Sequence, residues 1–244
     1  MRPTIVLVHG AFAGSASWDR VITPLLSAGH PVIAAANPLR GLAADAAAVS
    51  DLVRTIDGPV VLVGHSYGGA VISNVDADAG AIAGLVFVAG FAPESGESAI
   101  TLSGLFPGST LGDALQPVPR SDGTTDLYIS RERFHAQFAA DLPAPQAAIM
   151  AATQRSVTQQ ALGEPSGARP LWKELPSWFL FGAEDRSIPA ALQHFMAKRA
   201  GARRTIEIPG ASHAVAVSHP DATAHMILDA AWRLWRDAAL GVAA

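Results

Sequence analysis

Val60-Val61-Leu62-Val63-Gly64-His65-Ser66-Tyr67-Gly68-Gly69-Ala70-Val71 reads as a buried strand, a sharp turn with a serine at its tip, and the small residues that open a helix. The two glycines that flank the serine have a physical reason. A serine held at the tip of such a turn sits in a strained backbone conformation, which brings residues two before and two after it into near contact. A side chain at Gly64 or Gly68 would clash there, whereas glycine has no Cβ. The hydroxyl of Ser66 then projects above a helix N-terminus, whose partial positive charge favours a developing anion. A P-loop is a poorer reading, since no Lys-Ser/Thr ending follows.

The same rhythm of short apolar runs and longer amphipathic stretches extends outward in both directions. Runs at 4–8, 32–36, 60–63, 85–89, 178–181 and 205–208 predict strands, and their unbroken apolar character predicts a sheet covered by helices on both faces. Helices are expected at 18–28, 43–56, 69–79, 190–200 and 221–239, with Ser17 and Ser187 placed to cap two of them and Pro24 placed to kink or split the first. Between 91 and 175 the rhythm breaks into Pro- and Gly-rich segments and helical-looking runs at 131–141 and 145–162. A structureless loop of that length is improbable in a compact domain. The expectation is therefore an α/β core from 1–92 and 170–244, with 93–169 inserted as a small helical cap over one end of the sheet.

Half of the 244 residues are hydrophobic and 16% are charged, which argues against general disorder. A net charge of −4 offers no field for nucleic acid, and Arg199, Arg203 and Arg204 read as a solvated helix end rather than a basic stripe. The chain has no cysteine, so disulfides, thiolate catalysis and zinc–thiolate sites are excluded. His213, His219 and His225 recur at six-residue intervals and share no helix face, so no metal site is expected, and no cofactor. The first apolar run is too short for a secretory signal and no stretch is long enough to span a bilayer, so the expected location is cytoplasmic, without membrane partners. Monomer and homodimer both remain open.

If Ser66 is a nucleophile, it needs a base, an acid to orient that base, and donors for an oxyanion. The residue after the nucleophile, Tyr67, should offer one backbone N–H, and the loop His9-Gly10-Ala11-Phe12 after the first strand should offer another from Ala11. Of eight histidines, His213 follows the last predicted strand in Pro209-Gly210-Ala211-Ser212-His213, whereas His219 in Ser218-His219-Pro220 reads as the start of the final helix. The preceding strand leads into Gly182-Ala183-Glu184-Asp185-Arg186-Ser187-Ile188-Pro189, where Asp185 is favoured over Glu184 as the acid. His9 and His65 read as positional residues hydrogen-bonded within their turns. The resulting order is Ser…Asp…His, each member after a strand.

With these motifs in place, the chain resembles the α/β-hydrolase superfamily over almost its whole length. The segment from Val6 to Trp18, Gly64-His65-Ser66-Tyr67-Gly68-Gly69, Gly182-Ala183-Glu184-Asp185 and Ser212-His213 carry the resemblance, and the spacing from His9 to Trp18 is similar to that of plant methylesterases, hydroxynitrile lyases and small bacterial esterases. The resemblance implies an α/β-hydrolase fold, a triad of Ser66, Asp185 and His213, an oxyanion hole at Ala11 and Tyr67, and a helical cap between the family's sixth and seventh strands. It also implies what this chain is not. Dehalogenases and many epoxide hydrolases carry aspartate where Ser66 stands, and the plant lyases carry threonine at Gly10 and lysine at Ala214.

Hydrolysis of a small to medium uncharged carboxylic ester or lactone is the expected activity. A lyase or cofactor-free perhydrolase on the same triad is the alternative, as is a ligand-binding relative without turnover. Phe12, Phe106, Phe134, Phe138 and Met150 are the expected lining of an apolar substrate pocket, although each of the insertion's aromatics equally suits plain helix packing.

Overall fold

The computed structural model describes residues 1–241. The chain opens with β1 (Thr4–Val8), a single 3-10 turn at Ser15–Trp18, α1 (Asp19–Ser27), β2 (Val32–Ala35), α2 (Leu42–Val53), β3 (Pro59–His65), α3 (Tyr67–Ser73) and β4 (Ala81–Val88). The irregular middle then contributes α4 (Ala99–Ser103), α5 (Leu111–Ala114), β5 (Leu115–Pro119), β6 (Thr125–Ile129), α6 (Arg131–Phe138), α7 (Ala144–Thr153), β7 (Val157–Thr158) and α8 (Gln159–Gly163). The core resumes with β8 (Ser177–Gly182), α9 (Ala190–Arg199), β9 (Arg204–Ile208), α10 (Val215–Ser218) and α11 (Pro220–Ala239).

Six strands form one parallel sheet in the order β2-β1-β3-β4-β8-β9. Sheet order reverses direction between the first two crossovers. Right-handed connections therefore put α1 on one face and α2 and α3 on the other. The packing agrees, since α1 lies on α11 and α2 on α3. Covered on both sides, Val60, Val61, Leu62 and Val63 of β3 are wholly buried, each contributing roughly 1.5–3 kcal/mol. All six strands end toward the same edge, with Val8 level with Gly64 and His65 level with Val88. The loops after β1, β3, β8 and β9 therefore meet at one place. That is where an open α/β sheet binds its ligand.

Local details depart from the sequence expectations. Ser17 donates to the Gly14 carbonyl and Ser187 lies ahead of Pro189, so neither serine caps a helix. Pro24 does not split α1, which begins at Asp19 and runs through the proline to Ser27. The helix expected at 69–79 ends at Ser73, before a short 3-10 turn at Ala77–Ala79. The stretch read as an insertion contains helices and also a three-stranded antiparallel sheet of β5, β6 and β7. Pro117 and Pro119 sit in its edge strand β5, where a missing N–H costs least. Prolines at those positions are what concealed a strand behind a turn-like composition.

Candidate active site

Ser66 stands between β3 and α3 with φ 54° and ψ −124°, a conformation that persists only when its surroundings impose it. Here they do. Its N–H donates to the Val88 and Ala89 carbonyls, and its own carbonyl accepts from Gly69 at 2.9 Å and Phe91 at 3.0 Å. A Cβ on Gly64 would fall 2.5 Å from the Gly68 carbonyl oxygen, as the turn reading requires. On Gly68 the obstacle differs: a Cβ there would meet the Val8 carbonyl at 2.4 Å, so that glycine admits the end of β1.

Three side chains converge at this turn. The Ser66 hydroxyl lies 2.9 Å from His213 Nε2, and His213 Nδ1 lies 2.7 Å from Asp185 Oδ2. All three residues are buried. The other oxygen of Asp185 accepts the N–H groups of Ser187 at 2.7 Å and Ile188 at 2.9 Å, which fixes the carboxylate within its own turn. Glu184 is exposed and plays no part in this chain of bonds. His219 lies away from the serine, with its Nδ1 at 2.9 Å from the Ser218 hydroxyl and 3.6 Å from Asp141.

The loop that carries His213 is held from two sides. The Phe138 carbonyl accepts from the Ala214 N–H at 3.0 Å and from the Ser212 hydroxyl at 3.2 Å. From beneath, His65 Nε2–H donates to the His213 carbonyl at 3.0 Å. His65 is thus positional, but its partner is 148 residues away rather than within its own turn. Burial, reinforced by the nearby His213 ring, lowers its pKa to about 3, so it stays neutral. His9 also stays neutral. Its pKa falls to about 4, chiefly through burial.

The Ala11 and Tyr67 backbone amides belong to buried residues and have no protein acceptor among the described residues. Buried N–H groups are rarely left unpaired, so both are open to a ligand oxygen. Close approach of the two loops is forced, because a Cβ on Gly10 would lie 2.6 Å from Ser66 Cβ. The Tyr67 hydroxyl donates to Asp45 Oδ2 at 2.8 Å, and Asp45 Oδ1 accepts the Arg40 N–H at 3.0 Å. Burial and the neighbouring carboxylate raise the Tyr67 pKa, and burial likewise raises that of Asp45. Sequence reasoning missed Asp45. Its signal was an acid on the buried stripe Leu42, Ala46, Val49 and Val53 of α2.

Of the expected pocket residues, Phe12 and Met150 line one cavity of about 270 Å³ between the loop after β1 and helix α7, together with Ile149, Gln146 and Val217. Phe138 packs edge-on against the His213 ring and Phe134 packs on Phe138, so both are also supports for the histidine. Phe106 goes elsewhere and packs on Phe195 of α9. Gln146, Ile149 and Val217 gave no advance signal, because their shared cavity arises only from the way α7 lies over the core.

A family model described as the alpha/beta hydrolase family matches residues 5–226. The chain belongs to the alpha/beta hydrolase family. Among characterised relatives of this hydrolase, the pyrethroid hydrolase of Sphingobium wenxiniae (strain DSM 21828 / CGMCC 1.7748 / JZ-1) is 28% identical over 247 residues, covering 92% of this chain and 86% of the relative. A crystal structure of a pyrethroid hydrolase aligns with a TM-score of 0.76 at 25% identity, covering 94% of this chain and 97% of that one. Polyneuridine aldehyde esterase aligns with a TM-score of 0.77 at 21% identity, covering 94% of this chain and 99% of that one, a likeness of architecture. Among the described residues, no helix is long and apolar enough to cross a membrane, and no cluster of three or more His, Asp or Glu side chains is arranged to hold a metal ion.

Proposed function

We propose that this hydrolase cleaves small to medium uncharged carboxylic esters or lactones through an acyl-enzyme on Ser66. The observation that carries the reading is the continuous chain from the Ser66 hydroxyl through His213 to Asp185, with bonds of 2.9 and 2.7 Å. His213 Nε2 accepts the serine proton as Oγ attacks the ester carbonyl carbon. The negative oxygen of the tetrahedral intermediate is received by the Ala11 and Tyr67 amides. The C–O bond to the alcohol then breaks, and His213 returns its proton to the departing alcohol. Water attacks the acyl-enzyme with His213 again as base, which releases the acid and restores Ser66. Asp185, fixed by two amides, keeps the proton of His213 on Nδ1 and stabilises the imidazolium that forms.

The cavity beside Phe12 and Met150 adjoins the loop of Ala11, although Ser66 and His213 do not line it, and its mainly apolar lining suits an uncharged substrate. A set of p-nitrophenyl esters of increasing acyl length, with carboxylate and alcohol both quantified, tests the reaction. Labelling by a fluorophosphonate tests the nucleophile. The reading requires stoichiometric modification of Ser66 together with equimolar acid and alcohol. An unmodified serine, or turnover of cyanohydrins or of acid plus peroxide without ester cleavage, would overturn it.

A further inference from the structure

The residue Arg155 follows α7 in the insertion, yet it reaches the loop after β1. Its Nη1 donates to His9 Nε2 at 3.1 Å and to the Asn37 carbonyl at 2.9 Å. The acceptor role of His9 is settled by its other bonds. The Asn37 backbone N–H also points into Nε2, at 3.2 Å, so the ring proton resides on Nδ1, which donates to the Gly10 carbonyl at 2.9 Å. Asn37 closes the cluster by donating from Nδ2 to the His9 carbonyl at 3.0 Å.

This cluster sits directly behind the Ala11 amide. The His9 carbonyl lies 2.9 Å from where a Gly68 Cβ would be, so the loop is pressed against the serine turn, and a small shift of His9 moves Ala11 relative to Ser66. Arg155 itself is exposed and has no carboxylate partner among the described residues. Its bonds are directed to the core loops alone.

We propose that Arg155 is a positioning residue through which the insertion sets the oxyanion hole: by bonding both His9 and Asn37 it braces a pair already joined to each other and holds the Ala11 amide where the developing oxyanion forms. The proposal rests on the acyl-enzyme reading above. Positioning of this kind acts on the transition state and leaves ground-state binding of ester nearly unchanged. Arg155→Ala should therefore lower kcat by about tenfold or more, less than the ~10²–10³-fold lost with a donor itself. KM should stay within about twofold, and affinity for an aryl boronic acid, which forms a tetrahedral adduct on the serine, should fall in parallel with kcat. Arg155→Lys, which retains one charged donor, should recover much of the loss. Arg169→Ala, removing an exposed arginine bonded to Glu174, should match wild type.

Kinetics and boronate inhibition of the three variants decide the matter, with thermal melts to establish that each is folded. Wild-type kcat and boronate affinity in Arg155→Ala would overturn the proposal, as would a rise in KM at constant kcat, which marks a substrate contact. A loss of kcat that Arg155→Lys does not recover at all would also overturn it. Failure of the wild-type enzyme to react with fluorophosphonate would instead sink the acyl-enzyme reading on which it stands.

Discussion

Glycines distinguish the two regions that meet at this site. At the serine turn and the end of β8 they are enforced by backbone crowding, although Gly210 before His213 stands in open space: a Cβ on Gly68 would lie 2.4 Å from a carbonyl oxygen of Val8, and one on Gly182 would lie 2.2 Å from that of Ala211. In the insertion, Gly96, Gly112 and Gly123 have nothing within 4 Å of such a Cβ. The core therefore fixes the turn of Ser66 and the strand end before Asp185 by main-chain contact, which tolerates almost no change, and adds the His65 and Asp185 side chains to hold His213. The insertion is fastened to the core by side chains, notably Arg40 on buried Asp126 and Arg155 on His9, beside a few main-chain bonds such as Ala214 N–H to the Phe138 carbonyl. An assembly of that kind allows the surface of the insertion to vary while the side chains of Ser66, Asp185 and His213 stay fixed.

The largest expected effect lies at the centre of the rigid region. Ser66→Ala should reduce kcat on the order of 10⁶-fold if the triad acts as a unit. The fold should survive, because the methyl group occupies space already made for the serine. Steady-state kinetics with circular dichroism would check both halves. Residual activity within tenfold of wild type, in a folded variant, would remove Ser66 from the mechanism.

Paired glycine substitutions sharpen the contrast next. Gly68→Ala drives a methyl group into β1 and should cost about 3 kcal/mol or more, which is the upper end of overpacking. Gly112→Ala, inside α5 with open space around it, should stabilise by about 0.5–1 kcal/mol through reduced chain entropy. Urea melts of the two variants would measure the difference. Equal effects would mean that core and insertion are not held in different ways.

Acid should loosen the core through two buried histidines. His9 and His65 have folded-state pKa values of about 4 and about 3, below the ordinary value of 6.5. The unfolded chain therefore binds more protons. Their contribution to stability is complete above about pH 6.5 and is lost as the pH falls toward the folded values, by up to about 1.4 kcal/mol per pH unit for each ring. Chemical melts between pH 7 and pH 4.5 should show that slope, and His65→Gln should flatten it by about half. A slope unchanged in that variant would mean that His65 is not the neutral donor beneath His213.

Much of the core was legible from sequence because its constraints are local. Short apolar runs mark the strands, and Gly64-His65-Ser66-Tyr67-Gly68 sits where a strand meets a helix. Asp185 and His213 could be placed because each directly follows a strand. The links that hold these groups were illegible, since they join residues remote in sequence. The bond from His65 to the His213 carbonyl spans 148 positions, and that from Arg155 to His9 spans 146. The β5–β7 sheet escaped notice for a different reason, as prolines in its edge strand imitate a loop. Phe106 shows the limit of composition most simply: an aromatic in the insertion packs on α9 rather than near the serine.

The smallest effect tests the insertion alone. Met150 lines the cavity beside Phe12 and is only partly buried, so Met150→Ala should lower stability by less than the ~2–5 kcal/mol of a fully buried methionine. It should enlarge the cavity without touching the triad. Preference among acyl lengths, read as the ratio of kcat/KM for a longer and a shorter ester, should move toward the longer by about tenfold, in line with the discrimination that one or two methylenes provide. Reaction of Ser66 with a small fluorophosphonate should stay within about twofold of wild type, because that probe needs only the core. A change in labelling rate as large as the change in ester preference would show that the insertion and the reacting groups are not separable, and the division drawn from their glycines would fail.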